Sequence, residues 1–190
     1  PGRALFGIAG PPGSGKTTLA ERVVAAVPGA VLVGMDGFHL AHATLRALRR
    51  VERKGAPDTF DAEGYVALLH RIRDLGGDSG PLWAPAFDRG LEDAIAGSVA
   101  VPSDAPLVVT EGNYLLLEDR PWRDVAGLLD ACWYVDLDDD VRRARLEARH
   151  EHYGRSPEEA WGRTLGSDER NAVLVAASRG RASAVVSLSD

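Results

Sequence analysis

The segment Gly10-Pro11-Pro12-Gly13-Ser14-Gly15-Lys16-Thr17 has the spacing Gly-x-x-x-x-Gly-Lys-Thr, follows the apolar run Ala4-Leu5-Phe6-Gly7-Ile8-Ala9, and precedes a helical pattern at Leu19, Val23, Val24 and Val27. A strand, a glycine-rich loop and a helix in that order are the setting in which such a loop binds phosphate. Glycines at 10, 13 and 15 permit backbone angles closed to other residues, so several N–H groups converge on phosphate oxygens at the positive end of the helix. Lys16 is expected to reach the β- and γ-phosphates, and the Thr17 hydroxyl to bind a magnesium ion. The cradle runs from Gly10 through Pro11, Pro12, Gly13, Ser14, Gly15, Lys16 and Thr17 to Thr18. The ligand it predicts is a nucleoside triphosphate such as ATP, with Mg2+.

A loop of this kind commits the chain to an α/β fold. Pro28-Gly29 stops the first helix, and Ala30–Met35 reads as a second buried strand ending at Asp36. Further apolar runs at Leu107–Thr110, Cys132–Val135 and Ala184–Leu188 complete five strands, with helices expected over Leu40–Arg53, Ala62–Leu75, Trp122–Leu129, Asp139–His152 and Pro157–Ala177. Alternating apolar strands and helices predict a parallel sheet covered on both faces, with ligands at the carboxyl ends of the strands. Prolines divide residues 76–106 into two extended pieces, Leu82–Phe87 and Ser98–Val101, which suggests an inserted hairpin over the site. At 190 residues the chain buries roughly 70% of its unfolded surface as one compact domain, taken as 1–190.

Acids stand where the strands end. A kinase acting on a hydroxyl needs a carboxylate to accept its proton, and Asp36 is the candidate base, with Gly37 after it leaving room for a ligand. The bland alternative is that Asp36 begins a turn. Glu111, followed by Gly112-Asn113, is the candidate partner of Thr17 around magnesium and a candidate substrate contact. Asp136 also ends a strand, but it shares its turn with Asp138, Asp139 and Asp140, which fits helix capping better. Arg142, Arg145 and Arg149 lie three and four apart on one helical face, as in a lid (about residues 139–157) that neutralises the transferring phosphoryl group. Arg145 and Arg149 are the catalytic candidates and Arg142 a substrate contact. His150 and His152 are expected at the surface. His39, Asp58, Phe87 and Arg89 are candidate acceptor contacts, each with a structural alternative.

Together these segments resemble the phosphoribulokinase and uridine kinase family of P-loop kinases, to which bacterial-type pantothenate kinase is related. The likeness follows the order of phosphate loop, Met35-Asp36-Gly37-Phe38-His39, Ala56-Pro57-Asp58-Thr59-Phe60-Asp61, Pro85-Ala86-Phe87-Asp88-Arg89, Thr110-Glu111-Gly112-Asn113 and lid arginines. It implies a three-layer α/β/α sandwich with a five-stranded sheet of order 2-3-1-4-5, often a homodimer, with Asp36 as base and Asp58 on sugar hydroxyls. The chain departs from uridine kinases at Phe87, where they carry a tyrosine, and at Arg89–Asp93, where their histidine is missing. Arg53–Asp61 and Asn171-Ala172 are closer to a bacterial branch described as nucleoside or fructose kinases. Asn171 is expected either near the adenine or as a capping or buried amide.

The resulting expectation is ATP-dependent phosphorylation of a nucleoside, a sugar such as fructose, or a pantothenate-like hydroxyl. The alternatives are a nucleotide-dependent switch, although no Asn-Lys-x-Asp guanine motif occurs, and a nucleotide kinase, for which the Asp58 loop is short of basic residues. A net charge of −6 without a basic block argues against a nucleic-acid partner. No apolar stretch reaches the roughly 18 residues that span a bilayer, and no leader pattern opens the sequence. One cysteine, Cys132, inside an apolar strand reads as a buried small hydrophobe and fits the cytoplasm.

Overall fold

The computed structural model describes residues 2–77 and 79–188; Pro1, Asp78, Ser189 and Asp190, which the 1–190 domain expectation also takes in, lie outside them. The strands are β1 (Ala4–Ala9), β2 (Val31–Gly34), β3 (Leu82–Asp88), β4 (Asp93–Val101), β5 (Leu107–Gly112), β6 (Ala131–Asp136) and β7 (Ala184–Ser187). Each of the five expected apolar runs forms a strand of one sheet, β2-β5-β1-β6-β7, with every pairing parallel. The hairpin strands take the numbers 3 and 4. Among the sheet strands alone the order is second, third, first, fourth, fifth.

Among the described residues seven α-helices accompany the strands: α1 (Lys16–Ala26), α2 (His42–Ala47), α3 (Ala62–Asp74), α4 (Arg123–Ala126), α5 (Asp139–His152), α6 (Pro157–Arg163) and α7 (Glu169–Ala176). Both faces of the central strands are buried, as parallel strands require. On one face Leu5 and Val108 pack with Tyr65, Leu69 and Ile72 of α3 in the larger core. On the other, Ile8, Val109 and Val135 pack against Ala20 of α1. Strand order reverses at β1, so the carboxyl ends of β1 and β5 open the crevice in which a ligand of such a sheet sits.

Local chemistry sets the helix ends. The Asp138 carboxylate accepts from Asp140 N (2.9 Å) and Val141 N (3.3 Å) to start α5, the capping role foreseen for the acidic turn. Asp136 is paired with Arg179 at 3.0 Å, a structural contact. Ser156 and Glu159 form a reciprocal capping box on α6.

Three helical expectations need shortening. The chain leaves α2 at Arg49, whose φ of 57° lies in the left-handed region, and resumes only as a 3₁₀ turn at Val51–Arg53. The segment after Trp122 is helical only through Ala126. The run from Pro157 is interrupted by a π turn, Thr164–Asp168, before α7. Residues 82–101 do form a hairpin, with β4 starting at Asp93 rather than Ser98. Pro85 is tolerated in β3 because the register slips between Ala84 and Ala86. The hairpin sits directly on Gly37, since a Cβ there would collide with the Pro85 carbonyl. The space beside Gly37 therefore belongs to β3, not to a ligand.

Candidate active site

The phosphate loop follows β1 and lies against α5. Gly13 (φ 81°) and Gly15 (φ 90°) are left-handed, and a Cβ on Gly13 would come within 2.8 Å of the Arg142 carbonyl on α5. Lys16 is buried and its Nζ donates to the Pro11 carbonyl at 3.0 Å. Burial lowers its pKa to about 8, against the opposing pull of Glu111 and Asp36. Ser14 Oγ is buried without a hydrogen-bond partner among the described residues. A buried hydroxyl without a protein partner and a lysine on the same loop suit a cradle for phosphate oxygens.

Thr17 Oγ1 donates to Glu111 Oε1 at 3.3 Å, so the two oxygens expected around magnesium are adjacent. Glu111 is buried at the end of β5. Burial first, and the nearby Asp36 second, push its pKa up to about 7. Among the described residues no three His, Cys, Asp or Glu side chains gather to hold a metal. A hydroxyl, one carboxylate and the donor's phosphates suit magnesium, which is usually bound by few protein ligands.

A cleft of about 730 Å³ runs from Lys16 and Thr17 past Asp36 to His39, Phe60, Phe87 and Arg89, and is lined as well by Arg149 and His150 of α5 and by Asp168 and Asn171. Its size is typical of a small-molecule site. Asp36 lies in the 3₁₀ turn Met35–Phe38 after β2, facing the cleft, with Arg89 Nη2 3.6 Å from its Oδ2. His39 Nδ1 is 2.8 Å from the Asp36 carbonyl, which can only accept, so Nδ1 carries the hydrogen. Burial lowers the His39 pKa and keeps the ring neutral. The ring packs between Phe60 (4.0 Å between centroids) and Phe87 (4.8 Å), forming an aromatic wall.

Several expected site residues lie elsewhere. Asp58 is held by Arg53 at 2.7 Å and Arg50 at 3.5 Å, outside the cleft lining. Arg142 is fully buried, and its Nη2 donates to Glu169 at 2.6 Å while Nε donates to Asp139 at 2.9 Å; it anchors α5 and touches no ligand space. Arg145 stands beside Gly15 at the phosphate loop rather than in the cleft lining. Thr18 is exposed and also outside that lining. Asn171 is buried and its Nδ2 donates to the Gly55 carbonyl at 3.2 Å, the buried-amide alternative. His152 is exposed as expected, whereas His150 is not: its Nε2 is 2.7 Å from Asp168 Oδ2, inside the cleft.

Sequence reasoning missed Asp168 and His150 as site residues, and read the Lys54–Phe60 loop as a contact loop through Asp58 rather than through Lys54 and Gly55. Tyr114 OH and Asn171 both donate to the Gly55 carbonyl, Arg163 Nη2 donates to the Lys54 carbonyl at 2.5 Å, and the Lys54 ammonium reaches the Glu92 carbonyl on the hairpin. One signal was available. Asp168 and Asn171 are three apart, a spacing that puts two polar side chains on one helical face.

A parallel sheet with this phosphate loop, an acid after β2, an acid on β5 and a helical lid defines a P-loop phosphotransferase fold. A family described as an AAA domain matches residues 5–170, and the chain belongs to it. A protein of Schizosaccharomyces pombe, provisionally named a uridine kinase, is 34% identical over 187 residues, covering 91% of this chain and 78% of that protein. The ATP-dependent kinase-like protein notR' of Aspergillus versicolor is 38% identical over 145 residues, 73% of this chain and 84% of that protein. The crystal structure of a kinase from Silicibacter sp. TM1040, provisionally described as belonging to a fructose transport system, superposes with a TM-score of 0.89 at 36% identity, covering 98% of this chain and 90% of that one. Within its family the chain is a P-loop kinase, similar to proteins named as uridine kinase and ATP-dependent kinase.

Proposed function

We propose that the chain transfers the γ-phosphoryl group of ATP to a hydroxyl of a small cytoplasmic metabolite, either a nucleoside or a sugar such as fructose. The observation that carries this reading is the single cleft joining the phosphate loop to Asp36 and the His39–Phe60–Phe87 wall. Lys16 and the loop amides hold the donor phosphates, and Arg149 at the lid offsets charge on the moving phosphoryl group. Arg145, beside Gly15, serves the donor from the other side of the loop. Thr17 and Glu111 would hold magnesium, which would supply further charge neutralisation. Asp36 accepts the acceptor's hydroxyl proton as the new P–O bond forms and the bond to the β-phosphate oxygen breaks. Arg89 Nη2, 3.6 Å from Asp36 Oδ2, steadies that carboxylate in the cleft.

The S. pombe relative's name favours a nucleoside, and the Silicibacter structure's description favours a sugar. We include in the proposal a homodimeric assembly, as the family resemblance implies. The test is ADP release from ATP and magnesium with and without uridine, D-fructose and pantothenate. Release that depends on one of them is expected. Slow release indifferent to all would favour a nucleotide-dependent switch instead.

A further inference from the structure

Asp58, the acid expected to hold acceptor hydroxyls, is occupied by Arg50 and Arg53, yet a different carboxylate does face the cleft. Asp168 sits at the end of the π turn Thr164–Asp168, and single π turns inside helices are found mostly at functional sites. The residue is 8% exposed and its side chain 12%. One of its oxygens, Oδ2, is fixed by His150 Nε2 at 2.7 Å. Among the described residues the other oxygen takes no hydrogen bond. A buried carboxylate with one oxygen held by protein and one open to a cavity is an acceptor awaiting a donor.

The setting says what kind of donor. The Asp168 carboxylate shares the cleft with Asp36, and Arg149 and Tyr114 each feel the charge of both acids. The Gly55 carbonyl, on the same lining, is already bonded by Tyr114 and Asn171. A cationic ligand group would meet Arg149 and Arg163 there, and an anionic one would meet Asp168 itself. A neutral hydroxyl meets neither objection. We infer that Asp168, held by His150, binds a second hydroxyl of the acceptor while Asp36 serves the one that is phosphorylated, so that the substrate is a polyol or a ribose-bearing molecule rather than a simple alcohol.

This inference rests on the kinase reading, and the test separates the two. ADP release with ATP and magnesium is measured for wild type with uridine, D-fructose, 2′,3′-dideoxyuridine and tetrahydrofurfuryl alcohol; the last two keep one primary hydroxyl and lack the others. The same series is run on Asp168→Asn, with the melting temperature as a check on folding. A hydrogen bond to a charged group corresponds to about tenfold or more in binding. The wild type should therefore show a KM at least about tenfold higher for the single-hydroxyl analogue than for its parent. Asp168→Asn should raise the parent's KM by a similar factor, change the analogue's little, and leave the KM for ATP within about twofold. An analogue used as well as its parent, or a parent KM untouched by Asp168→Asn, overturns the subsite while acceptor-dependent release leaves the kinase reading standing. Release independent of every acceptor overturns both. The analogue comparison needs no variant, so it decides the matter even if Asp168→Asn fails to fold.

Discussion

The donor and acceptor halves of the cleft are built in opposite ways. The donor half is one continuous stretch, Gly10 to Thr17, with Lys16 bonded to Pro11 inside the loop and few partners outside it: Glu111 on β5 for Thr17, and Arg142 of α5 against Pro12 and Gly13. The acceptor half is assembled from the turn after β2, the Lys54–Phe60 loop, the hairpin, the segment after β5, and α5 to α7. Its parts are held by side chains that reach across the chain, such as Arg163 to Lys54 and Asn171 to Gly55. Phosphate is the same in every donor, so one backbone trap suffices. An acceptor differs from one kinase to the next, and a pocket made of many segments can be altered one segment at a time.

That contrast can be attacked residue by residue. Lys16→Ala should cost most, about a thousandfold in turnover, in the range for removing a charged group from the transferring phosphoryl; steady-state kinetics on the folded variant would show it. Glu169→Ala leaves Arg142, fully buried, without its 2.6 Å partner, and should lower stability by about 3–5 kcal/mol in urea unfolding. The pH dependence of that contribution has a definite sign. The Arg143 and Arg142 guanidiniums depress the Glu169 pKa from 4.5 to about 2, so its stabilisation is complete above pH 4.5 and is lost as pH falls through about 2.

Gly37→Ala should push β3 off the Met35–Phe38 turn. A loss of about 1–3 kcal/mol is expected, together with a higher acceptor KM and little change for ATP, because Phe87 and Arg89 move with the hairpin. A smaller effect is expected of pH on the donor half. With its pKa near 8, Lys16 loses its proton between pH 7 and 9 in the donor-free protein. ATP affinity by titration calorimetry should fall about tenfold across that interval. Smallest of all, Asp58→Asn should change the acceptor KM by less than about twofold, since an exposed ion pair with Arg50 and Arg53 contributes only about 0–1 kcal/mol and no cleft contact is lost. A tenfold effect there would erase the distinction drawn between Asp58 and Asp168.

The same contrast explains what was legible in the sequence. Gly10 to Thr17, Asp36 and Glu111 were readable because strand, loop and acid are adjacent in the chain, and apolar runs mark strand ends sharply. The sheet itself followed from the same runs. Arg142 misled because helical spacing shows which residues share a face but not which way the face turns; here it turns onto Glu169 and the phosphate loop. Asp58 misled because its neighbours Arg50 and Arg53 are close in sequence but come together only after Arg49 reverses the chain. Asp168 was hidden by the π turn, which no apolar period announces.

The central claim is that Asp36 serves the acceptor half alone. Rapid-quench single turnover, with ATP affinity measured in parallel on wild type and Asp36→Asn, tests it most directly, using whichever acceptor stimulates ADP release. Removal of a general base should slow acceptor-dependent phosphoryl transfer by about 10²–10⁴-fold while the ATP dissociation constant stays within about twofold. Transfer at the wild-type rate by Asp36→Asn would contradict the account.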